Sequence, residues 1–177
     1  MRANNSWIAQ QFLKFAEGPA PAQTPVADAT TQAESGTAAA LKKYLANTWV
    51  VYIDALACHW NIQGDKFQPL HGVFNDIYSM LFTSIDVISE RIRQLGPYVQ
   101  GSLKGFAADA TMSEDVETTD WRSMCLYLKT RLSALVTEAK AMMATLNPTT
   151  DEATKNLLIG QISAYEKWIW MLDSFLK

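Results

Sequence analysis

The chain of 177 residues is long enough for one domain with a buried core, and its hydrophobic content of 49% excludes an intrinsically disordered protein. Its formal net charge of −3 provides no overall positive field for nucleic acid, and its two cysteines form neither a CxxC pair nor a disulfide framework. No apolar run approaches the roughly 20 residues of a membrane-spanning helix, and the N-terminus lacks the apolar segment of a secretory signal. We therefore expect a cytoplasmic protein in which Cys58 and Cys125 pack as small apolar residues inside helices.

Residues 1–36 differ in composition from the rest of the chain. Pro19, Pro21 and Pro25 lie among Ala, Thr and Gln, which is typical of a flexible linker. The segment Ser6–Glu17 is predicted to form a short amphipathic helix, because apolar residues recur near helical spacing at Trp7, Ile8, Phe12 and Phe15. We expect a flexible N-terminal tail that packs on its own domain. A docking peptide for a partner is the alternative.

After this tail the spacing of apolar residues becomes helical. A first helix is predicted over about 37–62, with apolar positions at Leu41, Leu45, Trp49, Tyr52, Leu56 and Trp60. Gly64 and Asp65 mark a turn to a second helix, whose apolar positions are Leu70, Phe74, Ile77, Leu81, Ile85, Ile88, Ile92 and Leu95. Gly96-Pro97 ends this second helix.

The second half of the chain begins with a long connection over residues 97–118, within which Leu103–Ala108 is predicted to form a short helix. A third helix is predicted over about 119–146, with apolar positions at Met124, Leu128, Leu132, Leu135, Ala139 and Met142. A fourth is predicted over about 151–176, with apolar positions at Leu158, Ile162, Tyr165, Trp168 and Leu172. Four long amphipathic helices with a long link between the second and third indicate an all-α four-helix bundle over residues 37–177.

The side chains that can carry chemistry are few. The chain has two histidines, His59 and His71, and a carboxylate pair, Asp86 and Glu90, one turn apart on the second helix. Imidazole nitrogens and carboxylate oxygens suit iron, manganese or zinc. A histidine taken singly is more often a packed polar group, and such a carboxylate pair more often belongs to a solvated face. The pair alone is therefore weak support for a metal site.

The length of the second helix restricts how these residues can share a metal. His71 and Asp86 are 15 residues apart, about 22 Å along a straight helix. A shared metal therefore requires carboxylates from a second copy, with the two second helices antiparallel about a twofold axis. The positions three before the histidines are Leu56 and Gln68, so the Glu-x-x-His motif of an ordinary di-iron bundle is absent. No HExxH zinc-protease motif occurs either.

Around these residues the sequence resembles the signature of the Dps miniferritin family, within the ferritin-like superfamily. The matching segments are His59-Trp60-Asn61-Ile62-Gln63-Gly64, Phe67, Leu70-His71, Phe74, Asp86, Glu90-Arg91-Ile92 and Leu95-Gly96. The spacings of 12, 15 and 4 residues between the two histidines, the aspartate and the glutamate match the ferroxidase ligands of that family. The segment from Leu157 to Leu172 is also similar to the family's last helix, and the resemblance covers about residues 37–177.

The resemblance implies a ferritin-like fold assembled as a hollow homo-dodecamer of tetrahedral symmetry. Iron(II) would be oxidised at twofold interfaces, by hydrogen peroxide or oxygen, and ferric mineral would collect inside, which protects against oxidative damage. As catalytic metal ligands, His59 and His71 would come from one subunit, and Asp86 and Glu90 from its mate. Trp60 would lie beside the site, although an aromatic residue at this position can equally belong to the core.

One position departs from the family pattern. Many members have an acidic residue four after the second histidine, where it helps to hold a second iron. This chain has Asn75 there, and the carboxylate of Asp76 is displaced by about 100° around the helix. A neutral amide oxygen binds a hard cation more weakly than a carboxylate does. The resemblance therefore implies an intact first iron position and a weak second one.

Two acidic residues at the start of the last predicted helix have two interpretations. In the family, acidic pores for iron entry lie near this point, where this chain has Asp151 and Glu152. Acidic residues there also stabilise the helix, because they complement the positive end of its dipole. The sequence favours neither interpretation over the other.

Several family members bind DNA through lysine-rich tails, but residues 1–36 carry a net charge of −1, from Arg2, Lys14, Glu17, Asp28 and Glu34. A tail without net positive charge neutralises phosphates poorly, so DNA binding through this tail is not expected. The predicted function is iron(II) oxidation and storage. The alternative is a structural or docking cage, or a DNA-associating protein, with weak ferroxidase activity.

Overall fold

The computed structural model describes residues 36–114, 116 and 118–177, and within them it contains five α-helices and no strand. The helices are α1 (Gly36–Asn61), α2 (Phe67–Gln94), α3 (Leu103–Asp109), α4 (Trp121–Met143) and α5 (Glu152–Leu176). This architecture confirms the all-α prediction. None of these helices in the described part of the chain has the length and apolar content needed to cross a membrane. The predicted tail with its Ser6–Glu17 helix lies outside the described residues, so the proposed division of the chain near residue 36 stays a prediction.

The four long helices pack as two hairpins. α1 packs along α2, α4 packs along α5, and the two hairpins contact each other through α1–α4 and α2–α5. Near the middle of α1, Asn47 contacts Glu138 of α4. Further along α1, Asp54 accepts a hydrogen bond from Tyr127, which lies earlier in α4. α1 and α4 are therefore antiparallel, and because the hairpin makes α2 antiparallel to α1, α2 and α4 run parallel.

Parallel successive helices require a connection that returns along the bundle, and the segment between α2 and α4 does this. It carries α3, which packs against α1. Asn47 on α1 is 1% exposed, and its Oδ1 accepts hydrogen bonds from the backbone N–H groups of Thr111 and Met112 at 2.8 and 3.2 Å. Its Nδ2 donates to Glu138 at 2.8 Å, so one buried amide joins the crossover to α1 and α4. A bundle with one long crossover is the ferritin-like arrangement.

The predicted core stripes are confirmed on α2 and α4 and are partly wrong on α1. On α1, Leu41 and Leu45 are buried as predicted, but Trp60 is 68% exposed. Trp49, Tyr52 and Leu56 are only half-buried. Buried positions of α1 outside the predicted stripe include Tyr44, Thr48, Val51 and Ala55. α1 therefore has two apolar faces, of which one faces the core and the other is partly covered.

The predicted boundaries of the third long helix were too wide. α4 begins at Trp121 because the side chain of Asp120 accepts a hydrogen bond from the backbone N–H of Ser123 at 2.8 Å and caps the helix. The carboxylate also accepts a hydrogen bond from the Ser123 hydroxyl at 2.8 Å, and the two bonds lower the pKa of the Asp120 carboxyl group. At the other end the helix stops at Met143, and residues 144–146 form the following turn.

Candidate metal centre

The two histidines meet where α1 turns into α2. His59 lies in the last turn of α1 and His71 in the second turn of α2. Gly64 adopts a positive φ of 91° in the intervening turn, a conformation that favours glycine. Nδ1 of His59 lies 2.9 Å from the carbonyl oxygen of His71, and Nδ1 of His71 lies 3.0 Å from the carbonyl oxygen of His59. The turn therefore places both imidazoles side by side.

These reciprocal hydrogen bonds determine which ring nitrogen can bind a metal. A backbone carbonyl oxygen only accepts hydrogen bonds, so Nδ1 of each ring carries the proton and donates it. In the neutral imidazole, Nε2 then holds the free lone pair. The rings of His59 and His71 stack with their centroids 3.8 Å apart and their planes inclined by 23°. Hydrogen bonding of one nitrogen to a carbonyl is the usual arrangement behind a histidine that ligates a metal through the other.

Aromatic side chains surround the histidine pair. Phe67 stacks on His71 with a centroid distance of 5.0 Å, and Tyr78 contacts the ring of His59 edge-on at 5.2 Å. Phe67 is 42% exposed and Trp60 is 68% exposed, so the single chain leaves this apolar surface open. The exposure of Trp60 excludes the interpretation of this residue as part of the subunit core.

Asn75, the predicted weak ligand of a second metal, is held by its neighbours. It lies one helical turn after His71, on the same face of α2. Its Oδ1 accepts a hydrogen bond of 2.6 Å from the hydroxyl of Tyr78, and its Nδ2 donates to Asp76 at 3.3 Å. The amide oxygen is neutral and already shares one lone pair with the Tyr78 hydroxyl. The weak second metal position stays a prediction.

Asp86 and Glu90 lie further along α2 and are exposed to solvent. Within the described part of the chain, neither carboxylate has an ion-pair or hydrogen-bond partner. The neighbouring Arg91 donates instead to Thr154 at 2.9 Å, away from Glu90. Both carboxylates are therefore available to a ligand from outside the chain.

A single chain does not unite the predicted ligands. His71 and Asp86 are separated by about 22 Å of continuous α2, since each residue adds about 1.5 Å to the helix. Among the described residues, no three histidine, cysteine, aspartate or glutamate side chains come close enough together to hold a metal ion. The two histidines thus lie at the α1–α2 turn, and the two carboxylates lie in the C-terminal half of α2.

Comparison with known proteins identifies the family. Residues 38–177 match the family model of the ferritin-like domain. The crystal structure of a Dps protein from Vibrio cholerae, described as a member of a superfamily of ferritin-like diiron-carboxylate proteins, is 35% identical and superposes with a TM-score of 0.76. The match covers 80% of this chain and 89% of the Vibrio chain. This chain belongs to the Dps family.

Two further relatives extend the similarity. The DNA protection during starvation protein of Porphyromonas gingivalis is 30% identical over 135 residues, which are 76% of this chain and 85% of that protein. The structure of antigen TpF1 from Treponema pallidum is 26% identical with a TM-score of 0.77, and the match covers 90% of this chain and 99% of the other. The family resemblance predicted from the sequence is confirmed.

In this Dps chain the acidic residues at the start of α5 have local partners. Oδ2 of Asp151 accepts hydrogen bonds from the backbone N–H of Asn147 at 3.1 Å and from the hydroxyl of Thr37 at 3.3 Å. Glu152 lies in the first turn of α5, 3.9 Å from the ammonium group of Lys155. Asp151 thus joins the α4–α5 turn to the start of α1. These contacts account for both residues without a pore, which stays a prediction.

The two cysteines contribute no ligand to the centre. Both are free and fully buried, as expected from the sequence, although Cys58 directly precedes His59. Burial raises the pKa of Cys125 to about 12, and burial together with nearby Asp54 raises the pKa of Cys58 further. Both side chains belong to the apolar core of the subunit, which gives them a packing role.

The residues predicted for the site did not include Tyr78, which contacts His59 and donates a hydrogen bond to Asn75. His71, Asn75 and Tyr78 lie at positions i, i+4 and i+7 of α2, a spacing that places them on one helix face. That spacing was visible in the sequence. The contact of Tyr78 with His59 depends on how α1 packs against α2, and no local pattern indicates it.

Proposed function

We propose that this Dps chain oxidises iron(II) and stores the ferric product in a cage built from copies of itself. Each ferroxidase centre would combine His59 and His71 of one subunit with Asp86 and Glu90 of its mate. One observation carries the proposal. Two histidines with available Nε2 atoms lie at the α1–α2 turn, and two carboxylates without a partner among the described residues lie further along α2, with about 22 Å of helix between His71 and Asp86. Such half-sites are complete only when two copies meet.

The donor set suits iron(II) as the substrate. Two neutral imidazoles and two carboxylates supply nitrogen and oxygen ligands of the kind that iron accepts. The two negative charges balance the two positive charges of the ion, and they continue to attract it after oxidation to iron(III). Zinc and manganese accept the same ligands and would compete. The exposed rings of Trp60 and Phe67 would exclude water once a second subunit covers them.

The exposed face of α2 supports a twofold contact between copies. Phe82 is 58% exposed and lies on the same stripe as Asp86 and Glu90, because the three residues follow at intervals of four. Phe82 lies 11 residues after His71 and 4 residues before Asp86, so it belongs to the stretch of α2 between the two half-sites. A twofold axis near the exposed Ser79 would place the histidine pair of one α2 helix beside the carboxylates of its antiparallel partner, with Phe82 about 5 Å along the helix from the axis and inside the contact. The tetrahedral symmetry expected for the family would repeat this twofold contact to form a dodecamer.

Hydrogen peroxide or oxygen would accept the electrons of iron(II). Several relatives are named for DNA protection during starvation. We propose that this chain protects DNA chemically, by removing iron(II) and oxidant together. Its first 36 residues carry a net charge of −1, which gives no basis for binding phosphates tightly.

Complementation between two inactive variants tests the shared centre. His71→Ala removes a histidine half and Asp86→Ala removes a carboxylate half, so each variant alone has only defective centres. In a mixed pair, one centre receives both substitutions and the other receives neither. Co-assembled variants should therefore regain a substantial part of the natural rate of ferric absorbance. Failure of co-assembled particles to regain any activity would contradict the shared centre.

Iron uptake separates the proposed function from a purely structural or docking cage. Iron(II) and peroxide are mixed with the assembled protein and, as the reference, with buffer alone. If the protein is a ferroxidase, the ferric absorbance rises faster with protein than in buffer, and the ferric product stays soluble. Equal rates in both samples would leave the structural or docking cage as the better description.

A further inference from the structure

A cluster of polar side chains interrupts the apolar core at the centre of the bundle. Its members come from three helices and are each at most 7% exposed: Tyr44 and Thr48 of α1, Ser84 of α2, and Gln161 and Tyr165 of α5. Among the long helices, α1 packs chiefly against α2 and α4, so α1 and α5 are diagonal in the bundle. Side chains of these two helices therefore meet across the middle of the core, where they are shielded from bulk solvent.

The Tyr44 hydroxyl is the donor of this cluster that has no acceptor. Among the described residues it is buried without a hydrogen-bond partner. The Tyr165 hydroxyl lies nearby, but the two groups do not form a hydrogen bond of normal geometry. Burial raises the pKa of both phenols, so both keep their protons at neutral pH. A buried donor without a partner destabilises a fold, and native cores seldom contain one.

Two neighbouring hydroxyl oxygens can accept a further hydrogen bond. The Thr48 hydroxyl donates its own proton to the backbone carbonyl of Tyr44 at 2.8 Å, so its oxygen is left with lone pairs only. The Tyr165 hydroxyl donates to Oε1 of Gln161 at 3.4 Å, which leaves its oxygen in the same state. The hydroxyls of Tyr44 and Thr48 both lie close to that of Tyr165. One donor and two acceptors thus converge at one point of the core.

We propose that this point of the core binds one water molecule. The water accepts the proton of Tyr44 and donates its own two protons to the oxygens of Thr48 and Tyr165, and three hydrogen bonds are typical of a buried water. Nε2 of Gln161 donates to the backbone carbonyl of Ser84 at 3.5 Å, and this bond, like the one from Tyr165, is longer than usual. Such long bonds fit polar groups that are spaced around a small bound molecule. The water links the diagonal helices α1 and α5, and its site does not depend on the proposed ferroxidase function.

A high-resolution crystal structure of the assembled natural protein tests the site directly. We expect one peak of water density in every subunit, about 2.7–3.0 Å from the hydroxyl oxygens of Tyr44, Thr48 and Tyr165. A core without this density, in which the Tyr44 hydroxyl donates directly to a protein oxygen, would overturn the proposal. A core in which this hydroxyl has neither a water nor a protein partner would overturn it as well.

Removal of the Tyr44 hydroxyl tests the same site in solution. Tyr44→Phe breaks the hydrogen bond to the bound water and should lower the urea midpoint of unfolding. If the hydroxyl had no partner, its removal would relieve a buried polar group, and the midpoint would rise or stay the same. Tyr98→Phe is the control, because it makes the same change at a tyrosine that is 70% exposed and should leave the midpoint unchanged. A midpoint for Tyr44→Phe equal to or above that of the natural protein would contradict the bound water.

A second pair of variants tests one acceptor of the water. Thr48→Val removes that acceptor together with the bond to the carbonyl one turn earlier. Thr130→Val is the control, because Thr130 of α4 makes the same backbone bond, to Leu126 at 2.8 Å, at an exposed position. We expect Thr48→Val to lose the water density and to have a lower urea midpoint than Thr130→Val, and retained density or equal midpoints would overturn the site. If Tyr44→Phe does not fold, this pair and the structure of the natural protein still decide.

Discussion

His59 and His71 each donate a hydrogen bond from Nδ1 to the backbone carbonyl oxygen of the other, at 2.9 and 3.0 Å. The same two bonds join the end of α1 to the start of α2 and fix the tautomer of both rings. A substitution at either histidine therefore affects the metal-binding atoms and the turn together. Measurements of binding and of stability on the same variant separate the two effects.

Substitution of His71 should remove metal binding at small cost to the fold. His71→Ala deletes one proposed ligand, and it also removes one hydrogen bond and two ring stacks, with His59 and Phe67. The lost hydrogen bond and stacks together stabilise the fold by about 1–3 kcal/mol. We expect loss of tight iron(II) binding in anaerobic titration, with a helical, assembled protein of slightly lower melting temperature. Asn61→Ala is the control, because Asn61 is exposed and donates only to the carbonyl of Ala57 one turn earlier. A histidine variant that binds iron as tightly as this control would contradict the ligand assignment.

Disruption of the α2 face should abolish activity while leaving every ligand in place. Phe82→Glu introduces a charge into the proposed apolar contact between the two α2 helices, next to the twofold axis, which should prevent the helices from pairing. We expect sizing chromatography to give about twelve chains for the natural protein and a small, helical species without ferroxidase activity for the variant. Thr137→Glu, at an exposed position of α4, is the control. A folded and active monomer would refute the shared centre. Activity in a particle of fewer chains would refute only the dodecamer.

The spacing of apolar residues predicted the buried face of α2 but not the buried face of α1. α2 has one apolar face, so spacing alone identified its buried residues, from Leu70 to Ile92. α1 has two apolar faces, and the predicted stripe followed the wrong one at Trp49 and Trp60. Spacing indicates which residues share a face. Which of two apolar faces points inward depends on how α2 and α4 pack against α1, and this is a tertiary property.

For the candidate centre, the sequence indicated which residues could bind a metal but not the contacts that orient them. The identities and spacings of the histidines and carboxylates indicated half-sites on separate subunits, because helix length is fixed by residue count. The hydrogen bonds that fix the histidine tautomers join residues across the α1–α2 turn and leave no local signal. The contact of Tyr78 with His59 likewise requires the packed hairpin.

Breaking the ion pair between α1 and α4 should destabilise the fold strongly. Asp54 is 2% exposed and lies 3.3 Å from the guanidinium group of Arg131, whose side chain is 15% exposed. Asp54→Ala removes a buried carboxylate from beside a largely buried guanidinium group, a change that costs about 3–5 kcal/mol. Glu166→Ala is the control, because its pair with Lys140 is about half exposed on both sides and such pairs contribute about 0–1 kcal/mol. Similar unfolding free energies for the two variants in urea titrations would contradict this prediction.

Restoring a carboxylate at Asn75 should strengthen the second metal position. Asn75→Asp replaces a neutral amide oxygen with a charged, hard oxygen ligand on the face of α2 that carries His71. In the natural protein we expect one tight iron(II) per subunit in anaerobic calorimetry, with the second bound weakly. In the variant we expect at least about a tenfold gain at the second position, equivalent to about 1.4 kcal/mol, and faster iron oxidation.

The control for this prediction is the same substitution at a distance. Asn156→Asp adds an identical charge at an exposed position of α5 and should change neither the number of tight sites nor the oxidation rate. Removal of Asp86 or Glu90 should instead abolish tight binding at the first position. The Tyr78 hydroxyl should also donate to the new carboxylate, so the variant keeps the local hydrogen bond that orients residue 75. Two equally tight irons per subunit in the natural protein would show that Asn75 or Asp76 already completes the second position, and the weak second site would be wrong.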